Sequence, residues 1–395
     1  MMFPIILLSI GLSIASGAPT NEPTKGIPTF ALNFYQSVKS TPGNIIISPL
    51  SVASALALLS QASNGKTYDQ LVKGLNLSDD KTTTANQCHE YYEMLLRNAG
   101  NAELSIANQI YVNRGYEIKP EFRDVATTKF MSAVGSLNFG DSVSAAKKIN
   151  HFVDEKTKGK IKDIIAPNAI SSNTRAMLVN AIYFKGQWEN QFNKALTKQE
   201  PFFTTSSESV LVDFMHNKGR FNYTTLNDLD ATAIAMKYAN SSFSFVIVLP
   251  NSRTGLSALE SKLKNYDLSR ITHQMCTRKV KVTIPKFKTE FEINLNAALQ
   301  RIGITEMFTS SADLTGLLVS DEPLQISDVL HKAFIEVNEE GSEAAGATVI
   351  DVGVTSIQTK KTLKFRADHP FVYFIRDDIK NTILFSGRIV EFNGQ

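Results

Sequence analysis

Apolar residues recur at helical spacing in the first half of the chain and form short alternating or continuous runs in the second half. Helical periodicity marks four segments, at residues 29–38, 51–59, 88–96 and 142–156. Strand-like runs follow at residues 243–249, 280–284, 333–337 and 372–375. No repeat and no Pro/Gly/Ser-rich linker divides these segments. The pattern therefore predicts one large α+β domain.

The segment that follows residues 333–337 has an unusual polar pattern. Residues of one parity are all small or apolar: Ser342, Ala344, Gly346, Thr348, Ile350, Val352 and Val354. Both charges, Glu343 and Asp351, lie on the other parity, so a strand with one buried face would leave them in water. Side-chain size also grows along the first set. This pattern predicts a surface loop that is able to insert into a sheet as a strand.

The N-terminus predicts secretion. An apolar run at residues 3–14 is followed by the small residues Ala15-Ser16-Gly17-Ala18. The apolar run is too short for a membrane span, and together with the small residues it is typical of a signal peptide. Cleavage after Gly17 fits the small-residue rule, whereas cleavage after Ala18 would place Pro19 beside the cut bond. We therefore expect a signal peptide at 1–17, a mature domain at 18–395, and no membrane span.

Secretion gives meaning to three glycosylation sequons, which begin at Asn76, Asn222 and Asn240, and we expect two of them to be occupied. Cys88 and Cys276 are the only cysteines. One disulfide or two free thiols both remain open, and free thiols are favoured. The formal net charge of only +3 predicts neither a nucleic-acid nor a membrane partner.

Motifs of catalysis and metal binding are missing. The sequence has no Gly-x-Ser-x-Gly elbow, no phosphate-binding glycine loop and no motif of two closely spaced cysteines. His89-Glu90 begins like a zinc-protease motif, but Glu93 stands where the second histidine is required. We therefore expect no metal, no cofactor and no enzymatic activity.

The insertion-prone segment and several other motifs resemble one family. The stretch that resembles the reactive-loop hinge of inhibitory serpins consists of Glu339, Glu340, Gly341, Ser342, Glu343, Ala344, Ala345, Gly346, Ala347 and Thr348. Serpin-like motifs also occur at 44–51 (NIIISPLS), 178–188 (LVNAIYFKGQW), 330–333 (LHKA), 365–371 (FRADHPF) and 385–388 (FSGR). On these motifs the mature chain is identified as a member of the serpin family of serine protease inhibitors.

The resemblance implies a fold and a mechanism. The fold is a single domain with three β-sheets, eight to nine helices and an exposed reactive-centre loop at about 339–361. An extracellular serine protease attacks the loop as a substrate, and the cleaved loop then inserts into the main sheet and traps the acyl-enzyme. The inhibitor is expected to be monomeric, and it contributes no catalytic residue.

Family spacing places the scissile bond about sixteen residues beyond Glu339, at Thr355-Ser356. Thr355 is too short to reach an acidic pocket and too small for a chymotrypsin-like slot, so an elastase-like target is favoured. Three alternatives stay open. Cleavage at Lys360 or Lys361 would suit a trypsin-like protease, and Ile357 is a further candidate for the residue before the cut bond. The third alternative is a non-inhibitory serpin that acts as a carrier, hormone precursor or chaperone.

The resemblance also assigns residues that gate insertion. His331 is expected to hydrogen-bond with Ser48, Ser51 and Asn180 in the shutter beneath the main sheet. Trp188 is expected in the breach at the top of the insertion path. None of these residues performs chemistry.

A basic run follows the loop and consists of Lys360, Lys361, Lys364 and Arg366. It is interpreted either as a solvated strand edge or as an exosite for an acidic protease surface or a sulfated glycan. The helix that binds heparin in some serpins corresponds to residues near 79–98. Only Lys81 and Arg97 are basic there, so no heparin site is expected on that helix.

Overall fold

The computed structural model describes residues 23–320, 322–342 and 362–392. Within these ranges the chain forms nine α-helices and fifteen β-strands. The helices are α1 Pro23–Val38, α2 Pro49–Ala62, α3 Gly65–Leu75, α4 Lys81–Asn98, α5 Pro120–Phe130, α6 Ser142–Lys156, α7 Leu256–Leu263, α8 Leu268–His273 and α9 Asn296–Arg301. The strands are β1 Ile45–Ile47, β2 Glu103–Asn113, β3 Ala133–Leu137, β4 Ala176–Gln187, β5 Lys198–Phe203, β6 Ser209–Leu226, β7 Ala231–Lys237, β8 Phe243–Pro250, β9 Cys276–Pro285, β10 Phe287–Asn294, β11 Ile326–Val337, β12 Gly341–Ser342, β13 Leu363–Arg366, β14 Phe371–Asp377 and β15 Thr382–Ile389.

Side-chain caps set where the longer helices begin. The Ser48 hydroxyl accepts the Ser51 N–H of α2 at 3.2 Å, and the Asp80 carboxylate accepts the Thr83 N–H of α4 at 2.6 Å. These bonds satisfy backbone donors that have no partner inside the helix. Helix α2 carries no charged residue and is buried along almost its whole length. It therefore forms the centre of the core.

The main sheet has six strands in the order β10-β11-β12-β4-β2-β3. Its central strands β4 and β11 are parallel and pair directly from Ile326↔Ala176 up to Phe334↔Tyr183. We call this paired stretch the lower seam. Above it the two strands separate, and β12 lies between them. We call this separated stretch the upper gap.

Both faces of the main sheet are covered. Along β4, Leu178, Ile182 and Phe184 pack into the central core, while Val179 and Tyr183 pack into a second core together with α6. This alternation follows from the two-residue period of a strand whose faces are both buried.

The remaining strands form one nine-stranded sheet in the order β1-β15-β14-β8-β7-β6-β9-β13, with β5 paired to β6. The long strand β6 joins what the sequence predicted as two separate sheets, because it pairs with β5 and β9 at one end and with β7 at the other. The predicted fold class, with nine helices in the described ranges, is confirmed. No helix described here is long and apolar enough to cross a membrane.

Candidate functional site

The hinge reverses direction at the top of the main sheet. After β11 ends at Val337, Asn338 closes a turn: its N–H donates to the Gly341 carbonyl at 2.9 Å. Its side-chain Oδ1 accepts the N–H groups of Glu340 and Gly341 at 3.1 and 3.2 Å. The turn directs β12 back between β11 and β4, antiparallel to both. The first two residues after the turn therefore already occupy the upper gap.

Gly341 is required by the close approach of β12 to β4. A Cβ at this position would lie 1.9 Å from the Gly186 carbonyl oxygen and 2.6 Å from the Gln187 Cα. Backbone atoms cannot yield at such distances, so any side chain here would force the strands apart.

Ser342, the first residue of the predicted buried parity, has no solvent exposure. Its hydroxyl shares a hydrogen bond of 2.7 Å with the Tyr238 hydroxyl. The Tyr238 ring stacks on Trp188 at 4.7 Å between centroids and meets Phe184 edge-on at 4.9 Å. In the upper gap, Ser342 therefore faces a floor of aromatic rings, and a small side chain suits this position.

Two buried carboxylates tie the hinge to the neighbouring segment. Glu339 accepts a hydrogen bond of 2.8 Å from the Thr197 hydroxyl and lies 3.3 Å from the Lys286 ammonium. Burial alone would raise the pKa of Glu339, but a backbone N–H, Thr197 and Lys286 together hold that pKa below its ordinary value. Glu340 pairs with Lys194 at 2.5 Å, and this contact raises the pKa of the lysine.

Trp188 connects the same turn to the end of β4. Its indole Nε1–H donates to the Asn338 carbonyl at 2.9 Å, and its backbone N–H donates to the Glu340 carbonyl at 2.8 Å. Phe192 donates its N–H to the Glu339 carbonyl at 2.8 Å. Trp188 therefore lies at the top of the upper gap, where the resemblance placed the breach.

The four residues assigned to the shutter meet beneath the lower seam. His331 and Asn180 lie directly opposite each other on β11 and β4. His331 Nε2 accepts the Ser48 N–H at 3.1 Å, and its Nδ1 lies 2.5 Å from Asn180 Oδ1. Ser51, which was expected to bond to His331 itself, instead accepts a hydrogen bond from the Asn180 amide. The ring is therefore a neutral Nδ1–H tautomer, and burial lowers its pKa to about 3.

The network includes two residues that the sequence did not single out. Asn108 of β2 lies opposite Asn180, accepts a hydrogen bond from it, and donates to the Ser54 hydroxyl at 3.1 Å. The signal for Asn108 was its place in a pair of amides, with Gln109, between the apolar residues Ile106-Ala107 and Ile110. The network thus spans three strands and α2.

Several predicted residues lie outside the described ranges: Glu343, Ala344, Ala345, Gly346, Ala347, Thr348, Thr355, Ser356, Lys360 and Lys361. The scissile bond and most of the hinge therefore stay predictions from the sequence. The same is true of the signal peptide.

The three sequon asparagines have different surroundings. Asn76 and Asn240 are exposed and adopt left-handed backbone conformations, both with φ of 53°. Asn222 is half-buried within β6, and its Oδ1 accepts the Thr277 hydroxyl at 2.8 Å. Cys88 is buried and Cys276 exposed, and both are free thiols. Burial raises the pKa of the Cys88 thiol to about 12, which makes it unreactive.

The basic run after the loop is only partly available to a partner. Lys364 is exposed on β13. Arg366 pairs with Glu200 and also with Asp368 at 2.8 Å, so two carboxylates offset its charge. The structure therefore removes Arg366 from the predicted basic exosite. Within the described ranges no cluster of three His, Cys, Asp or Glu side chains is arranged to hold a metal ion.

Comparison with known proteins gives a consistent result. The family model described as "Serpin (serine protease inhibitor)" matches residues 25–392. Serine protease inhibitor 42Dd of Drosophila melanogaster is 40% identical over 359 residues, which cover 90% of this chain and 93% of the relative. The leukocyte elastase inhibitor of Sus scrofa is 36% identical, with 91% and 97% covered.

A solved structure agrees over the same extent. The crystal structure of Serpin48 from the insect Tenebrio molitor superposes with a TM-score of 0.87 at 31% identity, covering 95% of this chain and all of the other. This chain therefore belongs to the serpin (serine protease inhibitor) family, a family of inhibitors, and is not an enzyme.

Proposed function

We propose that this protein is a secreted, monomeric suicide inhibitor of serine proteases that traps its target by inserting the cleaved reactive loop into the main sheet. The observation that carries this proposal is the position of β12. Gly341 and Ser342 already pair with β4 in the upper gap, and Ser342 also pairs with β11. The next loop residues have only to continue the same register downward.

That register supports the expected reach of insertion. Ser342 lies opposite Gly186, so an antiparallel continuation would place Val352 opposite Ala176, the first residue of β4. Thr355 would then lie beyond the lower end of the sheet. Thirteen extended residues (355 − 342) span about 44 Å. An acyl-enzyme at Thr355 would therefore be carried past the full length of the sheet.

The same register would direct the small and apolar parity of the loop onto the face where Ser342 meets Tyr238. Glu343 would face the opposite side, across from Lys185. Insertion would replace the direct pairing of β4 with β11 by the pairing of each with the inserted loop strand. It would also bury additional apolar surface. The uninserted fold is therefore metastable with respect to the inserted one.

We favour an elastase-like target that cleaves at Thr355-Ser356. The size of Thr355 supports this choice, and so does the 36% identity to a leukocyte elastase inhibitor. Incubation with a panel of serine proteases should give an SDS-resistant complex with an elastase-type enzyme. Mass spectrometry of the released C-terminal peptide should find Ser356 as its first residue. A peptide that starts at Lys361 or Thr362 would move the target to the trypsin-like class.

Thermal unfolding separates this proposal from a non-inhibitory serpin. Cutting the loop with a non-target protease should raise the melting temperature strongly, because the freed strand can then complete the sheet. Equal melting temperatures for intact and cut protein would mean that insertion does not occur, and the inhibitory mechanism would have to be abandoned.

Secretion and glycosylation are the remaining parts of the proposal. The exposed, left-handed positions of Asn76 and Asn240 suit an attached glycan better than the half-buried Asn222. Expression in insect or mammalian cells should deliver a protein in the medium whose first residue is Ala18. Treatment with an N-glycosidase should then reduce its mass by two glycans. Retention of residues 1–17 in the cells would contradict secretion.

A further inference from the structure

A lysine, an asparagine amide and an aspartate meet where helices α3 and α4 begin. Lys81 is the first residue of α4, and Asn64 immediately precedes α3. The Lys81 ammonium donates to the Asn64 Oδ1 at 3.0 Å and to the Ser63 carbonyl at 2.5 Å. Asp313, from a distant part of the chain, accepts the Asn64 N–H on its backbone carbonyl at 3.0 Å. These contacts hold an amine against a carboxamide.

The Lys81 nitrogen lies close to the amide carbon of Asn64. Since a carbonyl bond is about 1.23 Å long, the Lys81 Nζ is no more than about 4.2 Å from the Asn64 Cγ. Reacting atoms in a near-attack arrangement are about 3–3.5 Å apart. A shift of about 1 Å therefore brings the amine onto the amide carbon.

The surroundings of Lys81 favour the neutral amine. Lys81 is half-buried, and its Nζ lies 5.1 Å from the centroid of the Tyr68 ring. Burial lowers the pKa of Lys81, although the negative charge of Asp313 opposes this shift. A lysine with a lowered pKa supplies more of the neutral amine, which is the nucleophilic form.

The nitrogen that would leave Asn64 has a route for protons. The Asn64 Nδ2 donates to the Thr315 hydroxyl at 2.8 Å, and that hydroxyl donates to the Asp313 Oδ1 at 2.7 Å. Hydrogen bonds from Thr315 hold the pKa of Asp313 below its ordinary value, so Asp313 is a carboxylate that is able to accept a proton. The Thr315 hydroxyl can relay that proton to Nδ2.

We propose that Lys81 and Asn64 react in the folded protein to form an isopeptide bond. The Lys81 Nζ attacks the Asn64 Cγ, a new C–N bond forms, and the bond between Cγ and Nδ2 breaks. Asp313 takes the proton that the amine loses, and Thr315 passes it to Nδ2, which leaves as ammonia. The additional proton of the lysine ammonium leaves with the ammonia as an ammonium ion. Atoms and charge balance, and no oxidant is required.

The bond would tie the start of α3 to the start of α4 and close a loop of residues 64–81. A covalent loop closure stabilises a fold mainly by restricting the unfolded chain, as a disulfide does. Cys88 and Cys276 are free thiols, and the isopeptide bond would give the chain a cross-link that needs no cysteine. This chemistry goes beyond the inhibitory function and does not depend on it.

The test is peptide mapping of the full chain after folding and storage at neutral pH. Trypsin should release residues 40–66 joined to residues 74–97, because it no longer cleaves after an acylated Lys81. The mass of the joined species should be lower than the sum of the two peptides by one ammonia. Separate peptides of unchanged mass would show that Lys81 and Asn64 share a hydrogen bond only, which overturns the proposal.

Two conservative variants locate the nucleophile. Lys81→Arg keeps the positive charge, but a guanidinium is not a nucleophile at neutral pH, so the link should be absent. Lys66→Arg is the matched control at a neighbouring exposed lysine, which pairs with Glu306 at 2.8 Å, and the link should form as in the parent. A link that persists in Lys81→Arg, or one that is lost in Lys66→Arg, would contradict the assignment.

Two further arms test the role of the folded site. Asp313→Asn removes the group that takes up the proton and should slow formation of the link at least tenfold. An unchanged rate would refute the proton route through Asp313. Protein that is kept in guanidinium chloride from its production onward should stay unlinked, because the attack depends on proximity in the fold. Linking of the unfolded chain at the parent's rate would overturn the structural argument.

The same mapping distinguishes a competing reaction at Asn64. Gly65 follows Asn64 in the sequence, and its backbone nitrogen could attack the same carbon. Water would then open the ring and leave an aspartate at position 64, with the two peptides separate. If this deamidated peptide is the only product, the backbone and not Lys81 is the nucleophile, and the proposal is wrong.

Discussion

The two ends of the same strand pair, β4 and β11, are in different states. In the lower seam they pair directly, and a fully buried polar network joins His331, Asn180 and Ser48 beneath them. In the upper gap they are separated by β12, whose Ser342 rests on an aromatic floor. The lower seam is therefore closed by directional hydrogen bonds. The upper gap is kept open by the two-residue strand β12, which the ion-paired carboxylates of Glu339 and Glu340 hold in place.

Under the proposed insertion mechanism, this difference would let one sheet be both stable and able to open. Hydrogen bonds between buried polar groups are costly to leave unmade, so the lower seam resists separation until a replacement strand arrives. The upper gap has already exchanged its direct strand pairing for pairing with Gly341 and Ser342. Insertion would then advance from top to bottom, one pair of residues at a time.

The largest expected effect comes from Ser342→Arg in the upper gap. Ser342 already lies buried beside Tyr238 and Phe184, which supply no carboxylate, so an arginine here should force β12 out of the upper gap, and insertion would then have to bury the guanidinium. An unpaired buried charge costs on the order of several kcal/mol, and each ~1.4 kcal/mol on the insertion barrier slows that step about tenfold. Hydrolysis of the acyl-enzyme should therefore win. Gel analysis should show cleaved inhibitor and at least a hundredfold less SDS-resistant complex.

Two controls limit the reading of that result. Ser342→Ala removes only a hydrogen bond and should still inhibit. Glu343→Arg introduces the same charge on the other parity, opposite Lys185, where like charges cost about 1 kcal/mol or less. Loss of inhibition in Glu343→Arg as well would show that the alternation of buried and exposed positions is not what matters.

The next largest effect is expected from Asn180→Ala in the lower seam. This change leaves His331, Ser51 and Asn108 without a shared partner. Orphaned buried polar groups cost about 1–3 kcal/mol each, so the uninserted fold should lose about 3 kcal/mol. On warming below its melting temperature, the variant should lose inhibitory activity faster than the parent. Asn168→Ala, at an exposed position, is the control; similar half-lives for the two variants would contradict a gating role for the network.

A pH dependence follows from His331. Its pKa is about 3 in the folded protein, against 6.5 for an ordinary histidine. The folded state therefore binds fewer protons than the unfolded chain between these values. The contribution of His331 is complete above pH 6.5 and is lost as the pH falls toward 3, at about 1.4 kcal/mol per pH unit.

This slope can be isolated with His331→Gln. Denaturant midpoints are compared between pH 6 and pH 5, above the range where Glu339 titrates, because the pKa of Glu339 lies below its ordinary value of 4.5. The parent should lose more stability over this interval than the variant. Parallel curves would show that His331 is not held neutral in the lower seam.

The smallest effect is expected from Thr197→Val. The change removes one hydrogen bond to Glu339 but leaves Lys286 in place. The unfolding free energy should fall by about 1 kcal/mol, with inhibition retained. The carboxylate pKa should rise toward its ordinary value, which an NMR titration of the side-chain carboxyl carbon can follow. A loss as large as that of Asn180→Ala would contradict the view that the upper gap is only lightly anchored.

Much of the local structure was predictable, because it depends on patterns within a few residues. The predicted helical segments became parts of α1, α2, α4 and α6, and the strand-like runs became parts of β8, β9, β11 and β14. Shorter elements such as α8 and α9 were not predicted. Six-residue helices gain most of their stability from packing rather than from their own sequence.

The shutter was only partly predictable. The family resemblance named four of its residues, but Asn108 joins only because β2 lies beside β4 in the register that places it opposite Asn180. The state of the hinge was not predictable either. The parity of Ser342 is a local property, whereas its contact with Tyr238 depends on where β11 and β4 separate.

By itself the sequence determined the class of fold, the family and the alternating loop that suits insertion, because periodicity and motifs are properties of neighbouring residues. Only the tertiary structure decided that β12 already lies in the upper gap, that Arg366 is neutralised, and that Lys81 contacts the Asn64 amide. The reason is that strand register and packing bring together residues such as Asn64, Lys81 and Asp313, which no local pattern relates.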